Sequence, residues 1–180
     1  MKYLLASDIH GSLPALEALL ARFECEKCDM LCLLGDFLNY GPRNGVPDGL
    51  NAPAVAQRLN QLQDRIIGVR GNCDSEVDQM LLTFPVLSAY TMLVDNGRRV
   101  LLTHGHLVGT SQLPTSGYEA IFQGHTHLPS LHRREDGILV CNTGSITFPK
   151  QDNPPTYAIL DAEAVTLYHL DGTPLKQLKF

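Results

Sequence analysis

Acidic and imidazole side chains recur in this sequence in short, spaced patterns. Asp8-Ile9-His10 sets a carboxylate and an imidazole two residues apart. Gly35-Asp36 and Gly71-Asn72 each place an oxygen-bearing side chain directly after a glycine. His104 follows an apolar run, and Gly124-His125-Thr126-His127 repeats the two-residue spacing with a pair of imidazoles. Residues two apart on an extended segment point the same way, so the carboxylate of Asp8 and the imidazole of His10 are expected to meet one ion. Two neighbouring divalent cations need a shared anion to offset their repulsion, and Asp36 suits that bridging place. Mixed His, Asp and Asn ligation suits manganese, iron or zinc better than calcium or magnesium. No cysteine belongs to the set, which argues against a structural zinc site. Paired ions roughly 3.5–4 Å apart are typical of enzymes that cleave phosphate esters with a water made acidic by the metals. Any one of these residues alone would read as a helix cap or a turn former. The argument rests on seven of them arriving in order.

The elements that must position them can be read from the hydrophobic pattern. Apolar runs at 2–7, 30–34 and 66–69 predict buried strands ending just before Asp8, Asp36 and Asn72. Ser12 is expected to cap a helix over 13–24 with Pro14 in its first turn. Asn51 and Pro53 open a second helix to about residue 63, and a short third one is predicted over 75–82. The segment 39–51, rich in Gly and Pro, is expected to be a long loop. In the second half, 86–94 and 98–103 flank Asn96-Gly97, a hairpin signal. Short strands follow at 120–123, 131–134 and 138–142, then at 156–161, 165–170 and 175–180. The order predicts a βαβαβ half followed by mostly antiparallel strands, packed as an α/β sandwich of two sheets with helices outside. Nearly every candidate ligand then follows a strand end, where open α/β sheets build their sites.

Composition narrows the classes. The chain has 180 residues, 44% apolar and 18% charged, enough for a real core and against disorder. The formal net charge of -5 disfavours a non-specific nucleic-acid binder. The N-terminal apolar stretch is too short for a signal peptide, and no run is long enough to span a membrane. Five irregularly spaced cysteines argue for reduced thiols and a cytoplasmic protein. Cys25 and Cys28 form a C-x-x-C pair, but no second pair accompanies them.

In order, Asp8-x-His10, Gly35-Asp36, Gly71-Asn72, His104 and Gly124-His125-x-His127 resemble the motifs of the calcineurin-like metallophosphoesterase family. The resemblance covers two-thirds of the chain. It implies a single domain over 1–180 with a two-sheet αββα sandwich. It also implies a manganese preference, with Zn, Ni, Fe or Mg as alternatives, and hydrolysis of phosphodiesters more readily than monoesters. The first ion would take Asp8, His10, Asp36 and His127, and the second Asp36, Asn72, His104 and His125. Asn72 would contact the phosphate as well as a metal. Arg43 is expected to reach a phosphate oxygen from the long loop. Asn39 and His106 are further candidates for substrate contact, although His106 is expected rather to stand behind the ligands, where it would orient His104.

The sequence departs from the family where Gly-Asn-His is usual and Gly71-Asn72-Cys73 stands instead. The family's histidine assists the leaving group. A thiol there is a poorer proton donor, so Cys73 is expected to favour substrates with good leaving groups. The resemblance further implies a small phosphodiester substrate and a homo-oligomer, dimer or tetramer. The rival reading is a non-catalytic protein-interaction module on the same fold, from which an intact ligand set would distinguish this chain.

Overall fold

A computed structural model describes all residues, Met1–Phe180. One sheet has six strands in the order β11-β10-β9-β1-β2-β3. Its parallel half is β1 (Tyr3–Ala6), β2 (Met30–Leu33) and β3 (Ile66–Gly68). Its antiparallel half is β9 (Thr156–Leu160), β10 (Ala164–His169) and β11 (Pro174–Lys179). The other sheet has five strands in the order β4-β5-β6-β8-β7. These are β4 (Tyr90–Asp95), β5 (Arg98–Thr103), β6 (Ala120–Gln123), β7 (Ser130–Arg133) and β8 (Leu139–Asn142).

The continuous apolar runs of β1 and β2 follow from burial on both faces. Leu4, Ala6, Leu31 and Leu33 point into the core beneath the helices. Tyr3, Leu5, Cys32 and Leu34 point into the second core, which also holds Val100, Leu102, Phe122 and Cys141 from the facing sheet. The period of two along each strand therefore serves two cores at once.

Helix α1 (Leu13–Cys25) starts where Ser12 Oγ accepts from Ala15 N, and buries Leu16, Leu19, Leu20 and Phe23. Helix α2 (Ala52–Asn60) is capped by Asn51 and ends three residues before its expected limit, followed by a separate 3₁₀ turn at Gln63–Arg65. Helix α3 (Glu76–Leu81) opens on a capping box, in which Ser75 N donates to Asp78 Oδ2 at 2.7 Å.

Three features differ from the sequence expectation. Strand β4 begins at Tyr90, because Val86 is drawn into the helix-side core and Ser88 O is taken by Arg70 N at 2.8 Å. The centre of the five-stranded sheet is parallel, with β6 between β5 and β8. The irregular segment 104–119 provides the long connection that parallel pairing needs. That segment also replaces a helix outside this sheet, where Tyr118 closes over Leu101, Ile121 and Val140. No helix is long and apolar enough to cross a membrane.

Candidate metal centre

Five strand ends meet at one edge of the two sheets. Beyond β1 and β2, the backbone keeps pairing: Asp8 N donates to Gly35 O, His10 N to Asp36 O and Gly11 N to Phe37 O. Asp8 and His10 are not extended, however. Asp8, His10, Asp36, His125 and His127 all have positive φ, between 50° and 66°. Left-handed conformations are uncommon for such residues and mark sites where surrounding structure holds local strain for a purpose. Here the turn brings each side chain inward while Ile9 between the first pair stays in the core.

Asp8, His10 and His104 are fully buried, and Asp36 and His127 nearly so. His10 Nε2 lies 3.4 Å from Asp8 Oδ1 and 3.7 Å from Asp36 Oδ2. His127 Nε2 lies 3.1 Å from Asp8 Oδ1. His104 Nε2 lies 3.5 Å from Asp36 Oδ2 and 3.1 Å from Asn72 Oδ1. Asp36 thus stands between two groups, Asp8, His10 and His127 on one side, and His104 with Asn72 on the other. His125 is placed by its backbone N, which donates to Asp8 Oδ2 at 3.0 Å, and its ring centroid is 5.1 Å from that of His104.

The rings are oriented by main-chain carbonyls. His10 Nδ1 donates to Asn39 O at 2.8 Å, His104 Nδ1 to Leu34 O at 2.7 Å and His127 Nδ1 to Phe148 O at 2.6 Å. Each bond leaves Nε2 as the inward-facing donor atom, the arrangement metal-ligating histidines adopt. The Nε2 atoms of His10 and His127 face each other at 3.4 Å, and Asp8 Oδ1 is buried without a hydrogen-bond partner. No Lys or Arg is paired with Asp8 or Asp36, although four other acidic side chains, Glu17, Glu24, Glu26 and Asp136, do pair with Lys or Arg. Converging lone pairs, an orphaned buried oxygen and unpaired buried carboxylates fit a cation-binding site.

The buried groups also act on one another. Burial opposes ionisation of Asp8, but contacts from His10 and His127 outweigh it and hold its carboxyl far below the usual range. Burial likewise pushes the His10 imidazolium down, and Asp8 and the Asn39 carbonyl reverse this, for a net rise. Burial, then the charge of His104, lower His125, and the same two causes bring His106 to about 4.

A residue with no assigned part in the sequence reading holds the centre together. Asp74, almost fully buried, accepts from Asp36 N at 2.8 Å, Phe37 N at 2.8 Å and Gly71 N at 2.6 Å. It clamps the turn after β2 to the turn after β3. Burial first, and then the charge of Asp36, push its carboxyl up to about 7. Gly71 is required by proximity, since a Cβ there would fall onto the Asp36 carboxylate. Gly124 is required likewise, since its Cβ would meet Ser7 and Asp8 Oδ2.

Above the ligands opens a cleft of about 610 Å³, lined by Asp36, Asn72, His125 and His127 and by the candidate residues Asn39, Arg43 and Cys73. The side chain of Asn39 accepts from Gly41 N at 2.8 Å, so it shapes the loop while its carbonyl orients His10. Asn72 Nδ2 donates to Cys73 Sγ at 3.2 Å, and Cys73 N donates to Asp36 Oδ1 at 2.8 Å. Burial, then the charge of Asp36, push the Cys73 thiol up to about 12. His106 does not line the cleft; its ring stands 5.4 Å from His104 and 6.0 Å from His125. Thr126 and Lys150 line it without having been singled out. Asn142 and Ser145 lie behind the ligands: Asn142 Nδ2 donates to Gly124 O at 2.8 Å, and Ser145 Oγ donates to Asp8 O at 3.0 Å. Cys25 and Cys28 are free thiols.

A profile of the calcineurin-like phosphoesterase superfamily domain matches residues 1–165. The chain belongs to that superfamily. Phosphodiesterase YfcE of Escherichia coli is 45% identical over 172 residues, spanning 95% of this chain and 93% of that protein. The solved structure of E. coli Yfce, described as a phosphoesterase, matches with a TM-score of 0.93 at 44% identity, over 99% of this chain and 98% of its own. Vps29 from Cryptosporidium parvum shares the fold, with a TM-score of 0.67 at 20% identity over 99% of this chain and 97% of its own.

Proposed function

We propose that this chain is a phosphoric diester hydrolase working through two divalent cations, with manganese preferred. The observation that carries the reading is the orientation of the three imidazoles. Backbone carbonyls hold His10, His104 and His127 with Nε2 turned toward the carboxylates of Asp8 and Asp36. On this reading Asp8, His10, Asp36 and His127 hold one cation, and Asp36, Asn72, His104 and His125 the other. The bound pair supplies Lewis acidity, lowering the pKa of water and offsetting the charge of the phosphate oxygens.

The protein's own groups do the remaining work. The carboxylate of Asp36 keeps the two halves in register. Asn72 presents its amide to the cleft, where it meets the phosphate. Arg43 contacts a non-bridging oxygen from the loop above. A Cys73 thiol with a pKa of about 12 is a weak proton donor, so leaving groups that need little protonation are favoured. Preference for diesters over monoesters follows the likeness to YfcE. The 1–180 chain acts as one domain, since β11 lies beyond the matched segment yet pairs with β10 in the same sheet. We assign it to the cytoplasm on the strength of five free cysteines, and to a homo-oligomer by family likeness. An interaction module of the Vps29 kind has only the shared fold in its favour.

Metal-stripped protein, resupplied separately with Mn, Mg, Zn and Ni, tests the reading on phosphomonoesters, aryl diesters and cyclic nucleotides. Turnover is expected only with metal, highest with Mn, and greater for aryl diesters than for matched monoesters. Activity that survives chelation, or none with any of the four ions, overturns it.

A further inference from the structure

The cleft holds two cations that no carboxylate satisfies. Arg43 and Lys150 both line it, and neither is engaged in a salt bridge. Arg43 lies close enough to His125 for its charge to act on that ring. Lys150 stands next to His127, its backbone N donating to His127 O at 3.2 Å. The chain carries a net charge of -5, so two free cations in one cleft run against its overall balance.

The segment bearing Lys150 is fixed to both ligand turns. Thr147 Oγ1 donates to Ile9 O at 2.8 Å, and Phe148 O accepts from His127 Nδ1 at 2.6 Å. The carbonyl of Lys150 accepts from Asn153 N at 3.2 Å and Asn153 Nδ2 at 2.7 Å. Gln151 and Asp152 are consecutive residues with positive φ, 54° and 58°. A strained, braced turn thus fixes the backbone that carries the exposed Lys150 side chain at the rim. Among the 12 residues lining the cleft, one is hydrophobic, so the walls offer little to an apolar ester arm.

We propose that Lys150 recognises a second anionic group carried on the ester arm, so that preferred substrates are diesters bearing a further carboxylate or phosphate. This rests on the phosphodiesterase reading above. A compact ammonium acts here as a point charge and discriminates by sign. Its contribution at an exposed rim is modest, about fivefold, and shrinks in high salt.

A matched pair of esters tests it: 3-carboxypropyl 4-nitrophenyl phosphate and its carboxamide, with the same shape and leaving group. The expected result is a kcat/KM about fivefold higher for the carboxylate ester, reduced toward unity by Lys150→Ala or by 1 M salt, and retained by Lys150→Arg. An equal preference in wild type and Lys150→Ala overturns the proposal. Titration calorimetry with 4-phosphonobutyrate and its amide reads the same discrimination without turnover. If neither ester is hydrolysed, the enzyme reading fails, while the titration still decides on Lys150: tighter binding of the carboxylate that Lys150→Ala abolishes supports it, and equal affinity overturns it.

Discussion

Asp36→Asn lowers diester turnover by about a thousandfold or more, and the metal content falls below two ions per chain. Asp36 Oδ2 stands 3.7 Å from His10 Nε2 and 3.5 Å from His104 Nε2, so its carboxylate faces both groups. The amide preserves size and the acceptor for Cys73 N. What it removes is the negative charge that lets two cations approach each other. Loss of metal-based charge stabilisation of the transition state is worth several kcal/mol, and about 4 kcal/mol corresponds to that factor. Elemental analysis with steady-state kinetics on an aryl diester reads both effects. An Asn variant that keeps two ions and loses less than tenfold in rate would remove Asp36 from the bridging place.

Asp74→Ala unfolds at a midpoint roughly 10 °C lower and loses activity as well, although Asp74 touches no proposed ligand atom except the backbone of Asp36. Its carboxylate accepts from three backbone N–H groups in a buried place. Each orphaned buried donor costs about 1–3 kcal/mol, less where water enters the space left behind. A total of about 3–5 kcal/mol converts to a shift of that size for a chain this long. The activity loss follows because the same bonds fix the turn carrying Asp36 against the turn carrying Asn72. Thermal unfolding followed by circular dichroism, with activity measured on the refolded variant, is the check. A midpoint within 2 °C of wild type would show that the clamp is dispensable.

Much of this centre is legible in the sequence because strand ends deliver it. Asp8, Asp36, Asn72, His104, His125 and His127 each follow a short apolar run, and apolar runs buried on both faces leave a clear trace. What orients the ligands is not legible. The carbonyls of Asn39, Leu34 and Phe148 belong to residues whose side chains say nothing about their acceptor role. The left-handed turns at Asp8, His10, His125 and His127 are equally hidden, since no glycine occupies those positions and an extended segment fits the same spacing. Asp74 is overlooked because a carboxylate beside a ligand reads as one more polar residue until its three backbone partners are seen. Parallel pairing of β6 with β5 escapes notice because the connection over 104–119 contains no helix to announce a crossover.

Crystals of the manganese-loaded protein, with anomalous differences recorded at the manganese edge, address the pairing of cations most directly. The arrangement of Asp36 between His10 and His104 predicts two peaks per chain, roughly 3.5–4 Å apart, with the Asp36 carboxylate touching both. A single peak, or two peaks of which only one contacts Asp36, would contradict it.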